Sequence, residues 1–370
     1  MGWVHHGFGQ QIIVGGGEAL GSLRDLPRIT GARRLLLVTT PNRLADEASI
    51  PVVRALGRNL AATFDRVEAH VPTPSIQAAI SLARAENIDG VVSLGGGSAV
   101  DTAKAVAWFL EREAGTPGTH VLDRPAVPHL AVPTTLAGAA FTGEFAMTDP
   151  RSGAKDLAGG PTAVPRGVIV NRDAVAAVDR GFLLLTGFTA LAHALETSWS
   201  TQRTPEAGAL AAAASGRLLA ALSAAVDSDP IDAVIIEELV DGAVLAGRAR
   251  QNAVVALHHE LVRVAGGRSG MADGLLHALL LPHTLRFNDL AIEETAGRLA
   301  EQVVDGLDLS TIVADLASAA RATGGLSDHG FDDDMLEAVV RTVASSPAVE
   351  RNPMPVGEGD IRGILESAWV

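Results

Sequence analysis

Up to about Val170 the chain alternates short aliphatic runs with amphipathic stretches, the pattern that parallel βα units leave in a sequence. The runs predict strands over Leu35–Val38 and over residues 66–69, 90–94, 129–132 and 168–170, most of them apolar enough for burial on both faces. Residues 44–60, 75–86 and 101–110 keep helical spacing between them. Pro72-Thr73-Pro74-Ser75 introduces the second helix: proline stiffens the entry and Ser75 offers an oxygen to the first orphan amides. Beyond Asp173 the text changes to Ala, Leu and charged residues at helical spacing, as over 204–227 and 231–245, and strand-like runs become rare. The alanine-rich run 207–222 is punctuated by Leu210, Leu218, Leu219 and Leu222 and predicts a closely packed helix. The expected organisation is an α/β domain with a parallel sheet over residues 1–170, followed by an all-α domain over 171–370, with no internal repeat.

Composition supports a packed chain. Hydrophobic residues make up 47% and charged residues 19% of 370 positions, enough for two cores. The absence of cysteine removes disulfides, thiolate metal sites and a cysteine nucleophile. A net charge of −14, with basic residues scattered or paired as in Arg33-Arg34, argues against nucleic acid as a partner. Met1-Gly2-Trp3-Val4-His5-His6 has neither a secretory pattern nor the Ser/Thr of a myristoylation signal. No apolar run reads as membrane-spanning, so a soluble, cytoplasmic protein is expected, and the apolar content and long helical half point to a homodimer.

Candidate chemistry begins at Leu94-Gly95-Gly96-Gly97-Ser98, which reads strand, glycine turn, helix. Glycines let the backbone approach a pyrophosphate, and the amides opening the next helix point at an anion with the helix dipole behind them. Three glycines are equally consistent with a simple tight turn. Two further loops follow strands: Pro133-Thr134-Thr135-Leu136-Ala137-Gly138, which offers two hydroxyls, and Thr39-Thr40-Pro41-Asn42-Arg43, where an adenosine ribose would be read. No acidic residue stands in the latter to take a ribose 2′-hydroxyl, and Arg43 is compatible with a 2′-phosphate, which leaves NAD(H) and NADP(H) both open.

Motifs in order along nearly the whole chain carry a resemblance. They are Gly95 to Lys104, Pro133 to Thr142, Ala190-Leu191-Ala192-His193-Ala194-Leu195-Glu196, His258-His259-Glu260-Leu261, His277 to His283 with Asn288, and Asn352-Pro353-Met354-Pro355. On these the chain resembles the iron-containing alcohol dehydrogenase superfamily, with its dehydroquinate-synthase-like fold, and within it the maleylacetate reductases. The resemblance implies a Rossmann-like N-terminal domain and an all-helical C-terminal domain. It implies cofactor contacts from Thr40, Asn42, Gly96, Gly97, Ser98, Asp101, Thr134, Thr135, Leu136, Thr142 and Lys155. Lys155 also reads as an ordinary solvated loop lysine.

Metal-dependent members hold a divalent ion with one Asp and three His. Those positions fall here on Thr189, His193, His259 and Asp273, so two ligands are kept and two changed. Threonine is a poor hard-cation ligand, and the resemblance to maleylacetate reductases implies work without a metal; His193, His259 and Asp273 are the set left to hold one. Other departures are Ala139-Ala140 where the family has Ser-Glu, Asn171 for the usual Asp, and Arg263 for a second helix histidine.

The implied chemistry is reduction of a small carboxylated enone or ketone by NAD(P)H. Its polar groups would be His193, His258, His259 and Arg263, with histidine pKa values tuned around neutrality and Arg263 forking a carboxylate. His277 and His283 read equally as core or interface histidines, and Asn352 and Pro353 as structural. Two other functions stay open: a metal-dependent alcohol dehydrogenase using His193, His259 and Asp273, and a family member whose redox chemistry has been lost or replaced.

Overall fold

A computed structural model describes every residue except 1, 2, 6, 8, 26–29, 48, 116–124, 255, 302–305 and 321. The chain divides into two compact units. One is His6–Arg151 with Lys155–Val178; the other is Asp179–Val370 with Met1–His5 and Ser152–Ala154.

The first unit is built on six parallel strands: β1 (Gln11–Gly15), β2 (Leu35–Val38), β3 (Leu60–Phe64), β4 (Gly90–Gly95), β5 (His129–Pro133) and β8 (Gly167–Asn171), in the order β1-β8-β5-β4-β2-β3. Strands β2, β4, β5 and β8 are buried throughout, as unbroken apolar runs covered on both faces should be. Helices α1 (Pro41–Ala45), α2 (Ser49–Leu56), α3 (Thr73–Ala85), α4 (Gly97–Glu113) and α5 (Arg172–Ala176) lie between or after the strands. A separate antiparallel hairpin pairs β6 (Glu144–Thr148) with β7 (Lys155–Gly159).

Two expectations need correction here. The strand expected over 66–69 lies earlier, at β3, and the helix expected over 44–60 is two shorter helices that stop before Gly57. Gly57 takes φ +50, releasing the chain so that 60–64 can pair with β2. The ladder gains one more rung, from Val67 N–H to the Thr39 carbonyl at 3.3 Å, and then ends where His70 and Val71 adopt φ 58 and 52. Strand β1 and the hairpin were not anticipated, because β1 is short and only half-buried and the hairpin carries Glu144, Lys155 and Asp156.

The second unit consists of helices α6 (Arg180–Trp199), α7 (Pro205–Val226), α8 (Ala233–Arg250), α9 (Leu257–Ser269), α10 (Asp273–Glu301), α11 (Leu309–Ala319), α12 (Asp333–Ala344) and α13 (Glu358–Ser367). The sequence showed no apolar run of spanning length, yet α7 has 22 residues and a window of mean hydropathy 1.6, which meets that criterion by length and composition. It packs as a helix of this unit. Ala211, Ala214, Leu218 and Leu222 are buried, and α8 approaches so closely that a Cβ on Gly242 would fall 2.7 Å from Leu218 Cγ. Arg217 on α7 pairs with Glu238 on α8. Asn288 and Asn352 exchange side-chain amide hydrogen bonds at 3.1 and 2.7 Å, tying the segment after α12 to α10.

Candidate functional site

In the first unit, three strand ends converge. Gly95 takes φ +144, where a side chain would be strained, and its carbonyl accepts from Thr134 N–H at 3.0 Å. Thr39 Oγ1 donates to the Leu94 carbonyl at 2.8 Å, which joins the first loop to the glycine turn. Gly96 is the N-cap of α4 and has no side chain to cap it; Ala99 N–H bonds the Gly96 carbonyl at 3.1 Å, and the amides of Gly97 and Ser98 are left to an outside acceptor. A Cβ on Gly96 would meet Thr135 Cγ2 at 3.0 Å, whereas one on Gly97 would meet nothing within 4 Å. Beside them Thr134 Oγ1 is buried without a hydrogen-bond partner. Glycine turn, open helix start and orphan hydroxyl together form a cradle suited to a diphosphate.

The remaining sequence-predicted cofactor residues fall into two groups. Thr40 caps α1 through Arg43 N–H at 3.3 Å, Asn42 is exposed, and Arg43 pairs with Asp46 at 2.7 Å. Leu136 is buried and Ser98 half-buried; the Ser98 carbonyl accepts from Thr102 Oγ1. Asp101 and Thr142 both engage Lys104. This lysine is fully buried, its Nζ lying 3.4 Å from Asp101 Oδ1 and donating to Thr142 Oγ1 at 3.2 Å and the Glu144 carbonyl at 2.6 Å. Lys155 is 7% exposed in β7, near enough to Asp101 to act on it electrostatically, so the solvated-loop reading of that lysine does not hold. Burial pushes the Asp101 carboxyl above its ordinary range, with Lys104 pulling the other way.

In the second unit, four imidazoles from three helices gather. His193 on α6 stacks on His259 of α9, with ring centroids 4.7 Å apart and planes 6° from parallel. His277 on α10 is 5.0 Å from His259 and 5.1 Å from His258 by ring centroids. His258 Nε2 hydrogen-bonds His277 Nδ1 at 2.9 Å, and His258 Nδ1 is 3.0 Å from Thr284 Oγ1. Glu196, one turn after His193, reaches His259 Nδ1 at 2.6 Å and accepts from the backbone N–H of His258 at 2.8 Å. Burial holds His258 and His259 down at about 3, so both rings are neutral at pH 7. The expectation that they titrate near neutrality is therefore corrected: desolvation outweighs the neighbouring carboxylates.

Arg263 does not present an empty fork. Its Nε and Nη2 donate to Glu260 at 2.9 and 2.6 Å, one turn back on α9. Arg250, which the sequence reading passed over, is close enough to act electrostatically on both Glu196 and His259. Glu196, His277 and Thr284 were also missed as members. The spacing of His193 and Glu196, one turn apart on one helix face, was the available signal for the first.

Thr189 is buried, and Asp273 acts on His259 electrostatically from the start of α10. Among the described residues, no three His, Asp or Glu side chains are arranged to hold a metal ion. Thr189 at the first of the four positions departs from the one-Asp, three-His set of the metal-dependent members.

A parallel sheet whose glycine turn opens a helix, joined in one chain to a helical unit with buried histidines, defines a dinucleotide-type oxidoreductase. Residues 10–172 match the family model for iron-containing alcohol dehydrogenase, and residues 183–369 that for the C-terminal part of the Fe-containing alcohol dehydrogenase family. The chain belongs to the iron-containing alcohol dehydrogenase family and is an oxidoreductase. It is similar to maleylacetate reductase of Rhizobium sp. (strain MTP-10005), 28% identical over 359 residues covering 97% of this chain and 95% of that protein. It is similar as well to that of Sphingobium indicum, 28% identical over 368 residues covering 100% and 97%. Its fold matches the crystal structure of maleylacetate reductase from Agrobacterium tumefaciens, with TM-score 0.84, 26% identity and coverage of 100% of this chain and 98% of that one.

Proposed function

We propose that this enzyme uses NADH or NADPH to reduce a small carboxylated enone or ketone of the maleylacetate type. The observation that carries the reading is the His193–His258–His259–His277 cluster, with His258 and His277 buried and the other two partly so, anchored by Glu196 in a chain that aligns end to end with maleylacetate reductases. The diphosphate cradle supports the cofactor assignment. Gly96, Gly97, Ser98 and Thr134 would hold the dinucleotide, and when bound its reduced nicotinamide supplies the hydride.

Hydride addition to an alkene conjugated with a ketone sends an electron pair to the ketone oxygen, giving an enolate that a proton completes. In this chain the neutral imidazoles orient polar groups of the substrate. With values near 3, His258 and His259 do not store that proton in the resting enzyme. Arg250, whose Nη1 donates to the Ala253 carbonyl at 3.1 Å, adds positive charge next to the cluster, and Arg263 is engaged by Glu260. The test is cofactor oxidation with maleylacetate, simple aldehydes and saturated ketones at matched concentrations. Turnover strongest with the enone acid supports the reading; turnover only with simple alcohols and aldehydes defeats it.

A further inference from the structure

Glu196 sits on α6, 2% exposed, with two backbone N–H groups and one imidazole nitrogen set against its carboxylate. The backbone N–H of His258 donates to Oε1 at 2.8 Å, the backbone N–H of Ala256 also donates to the carboxylate, and His259 Nδ1 lies 2.6 Å from Oε2. Ala256 and His258 are the N-cap and second residue of α9. One carboxylate from another helix therefore caps α9 and grips the imidazole that follows.

The two roles are chemically linked. Backbone amides can only donate, so Glu196 must accept from them, and as a carboxylate it accepts from His259 as well. That places the ring proton of neutral His259 on Nδ1. His259 Nε2 is then a lone pair, and it is buried without a hydrogen-bond partner. A buried acceptor left open is costly unless a ligand donor meets it.

We infer that Glu196 is a positioning residue that locks His259 in the Nδ1–H tautomer, so that Nε2 receives a hydrogen bond from a hydroxyl or amide N–H of the bound ligand. The inference rests on the reductase reading for the ligand, but the tautomer is a property of the free enzyme. Glu196→Gln reverses the pattern. The glutamine carbonyl must serve the His258 amide at the Oε1 position, which turns its NH₂ toward His259 Nδ1 and drives the ring proton to Nε2. Glu196→Asp keeps a carboxylate and restores the tautomer wherever its shorter reach meets the ring.

The experiment is ¹⁵N NMR of the histidine-labelled full-length enzyme, with His259→Gln to assign the signal, alongside steady-state kinetics on maleylacetate. Wild type is expected to show a protonated Nδ1 and an unprotonated Nε2 at His259. Folded E196Q is expected to show the reverse, with kcat/KM lowered at least tenfold and partly recovered in E196D. An Nε2-protonated His259 in wild type, or an unchanged His259 signal in folded E196Q, overturns the inference. If E196Q does not fold, the wild-type signal alone decides. If wild type fails to reduce any enone acid, the reductase reading falls, while the NMR result still judges Glu196.

Discussion

His193 and His259 lie ring on ring although they come from separate helices, with planes only 6° apart. Burial, with a smaller push from Arg250, holds His259 down at about 3, so its ring is uncharged in this stack. His193→Phe keeps the flat surface and loses both nitrogens. It is expected to hold its unfolding midpoint within a few degrees while kcat/KM falls by about 10²-fold, the usual scale for losing a positioned polar group. Wild-type kinetics in this variant would reduce His193 to a packing residue.

Gly97 opens α4 with free space beyond its Cα. Gly97→Asp adds a carboxylate at a helix start, where it favours the helix by about 0.3–1 kcal/mol, yet the same charge repels a diphosphate. The expected outcome is unchanged or slightly raised thermal stability together with at least tenfold weaker NADH and NADPH binding by fluorescence titration. Undiminished cofactor binding would place the diphosphate elsewhere.

Lys104 joins α4 to the hairpin from a fully buried position. Lys104→Met leaves Asp101 in the interior without its nearest cation. Breaking a buried pair from one side costs about 3–5 kcal/mol. Urea denaturation should show that loss, and Asp101→Asn in the same background should recover part of it.

Three buried histidines set the acid response. His129, hydrogen-bonded to Ser93 at 2.8 Å, is held at about 3 by burial, with a smaller push from Lys104, and His258 and His259 are held there too. Between that value and the ordinary 6.5 the unfolded chain binds more protons than the folded one. Stability is therefore full above 6.5 and falls as pH drops toward 3, by up to about 1.4 kcal/mol per pH unit for each histidine. Asp101 and Glu196, raised by burial, act with the opposite sign above their ordinary ranges. Denaturation midpoints at pH 7 and 5 should differ clearly, and His129→Gln should shrink the gap. A flat profile would contradict neutral burial.

The elements that read correctly from sequence are those whose signal is local. Strands β2, β4, β5 and β8 are continuous apolar runs, and the turn at Gly95 is written in consecutive glycines. Strand β3 was misplaced because the helical spacing over 44–60 was read through to Leu60, although residues 60–64 are more apolar than 66–69; Gly57 breaks the helix and pairing with β2 makes 60–64 the strand. At the site, His193, His258 and His259 were found from motif order. Glu196 shares a helix face with His193 by spacing, but its partners on α9, like the place of His277, are set only when α6, α9 and α10 pack. The neutral state of the histidines was also hidden, since it follows from burial.

Reduction of a carboxylated enone is the decisive measurement. Purified enzyme should be given maleylacetate with NADH and with NADPH in parallel, following absorbance of the reduced cofactor. Consumption of one equivalent of cofactor per enone acid, lost in His259→Gln, is the predicted result. No consumption with maleylacetate or any related carboxylated enone or ketone, or full consumption in His259→Gln, would contradict it.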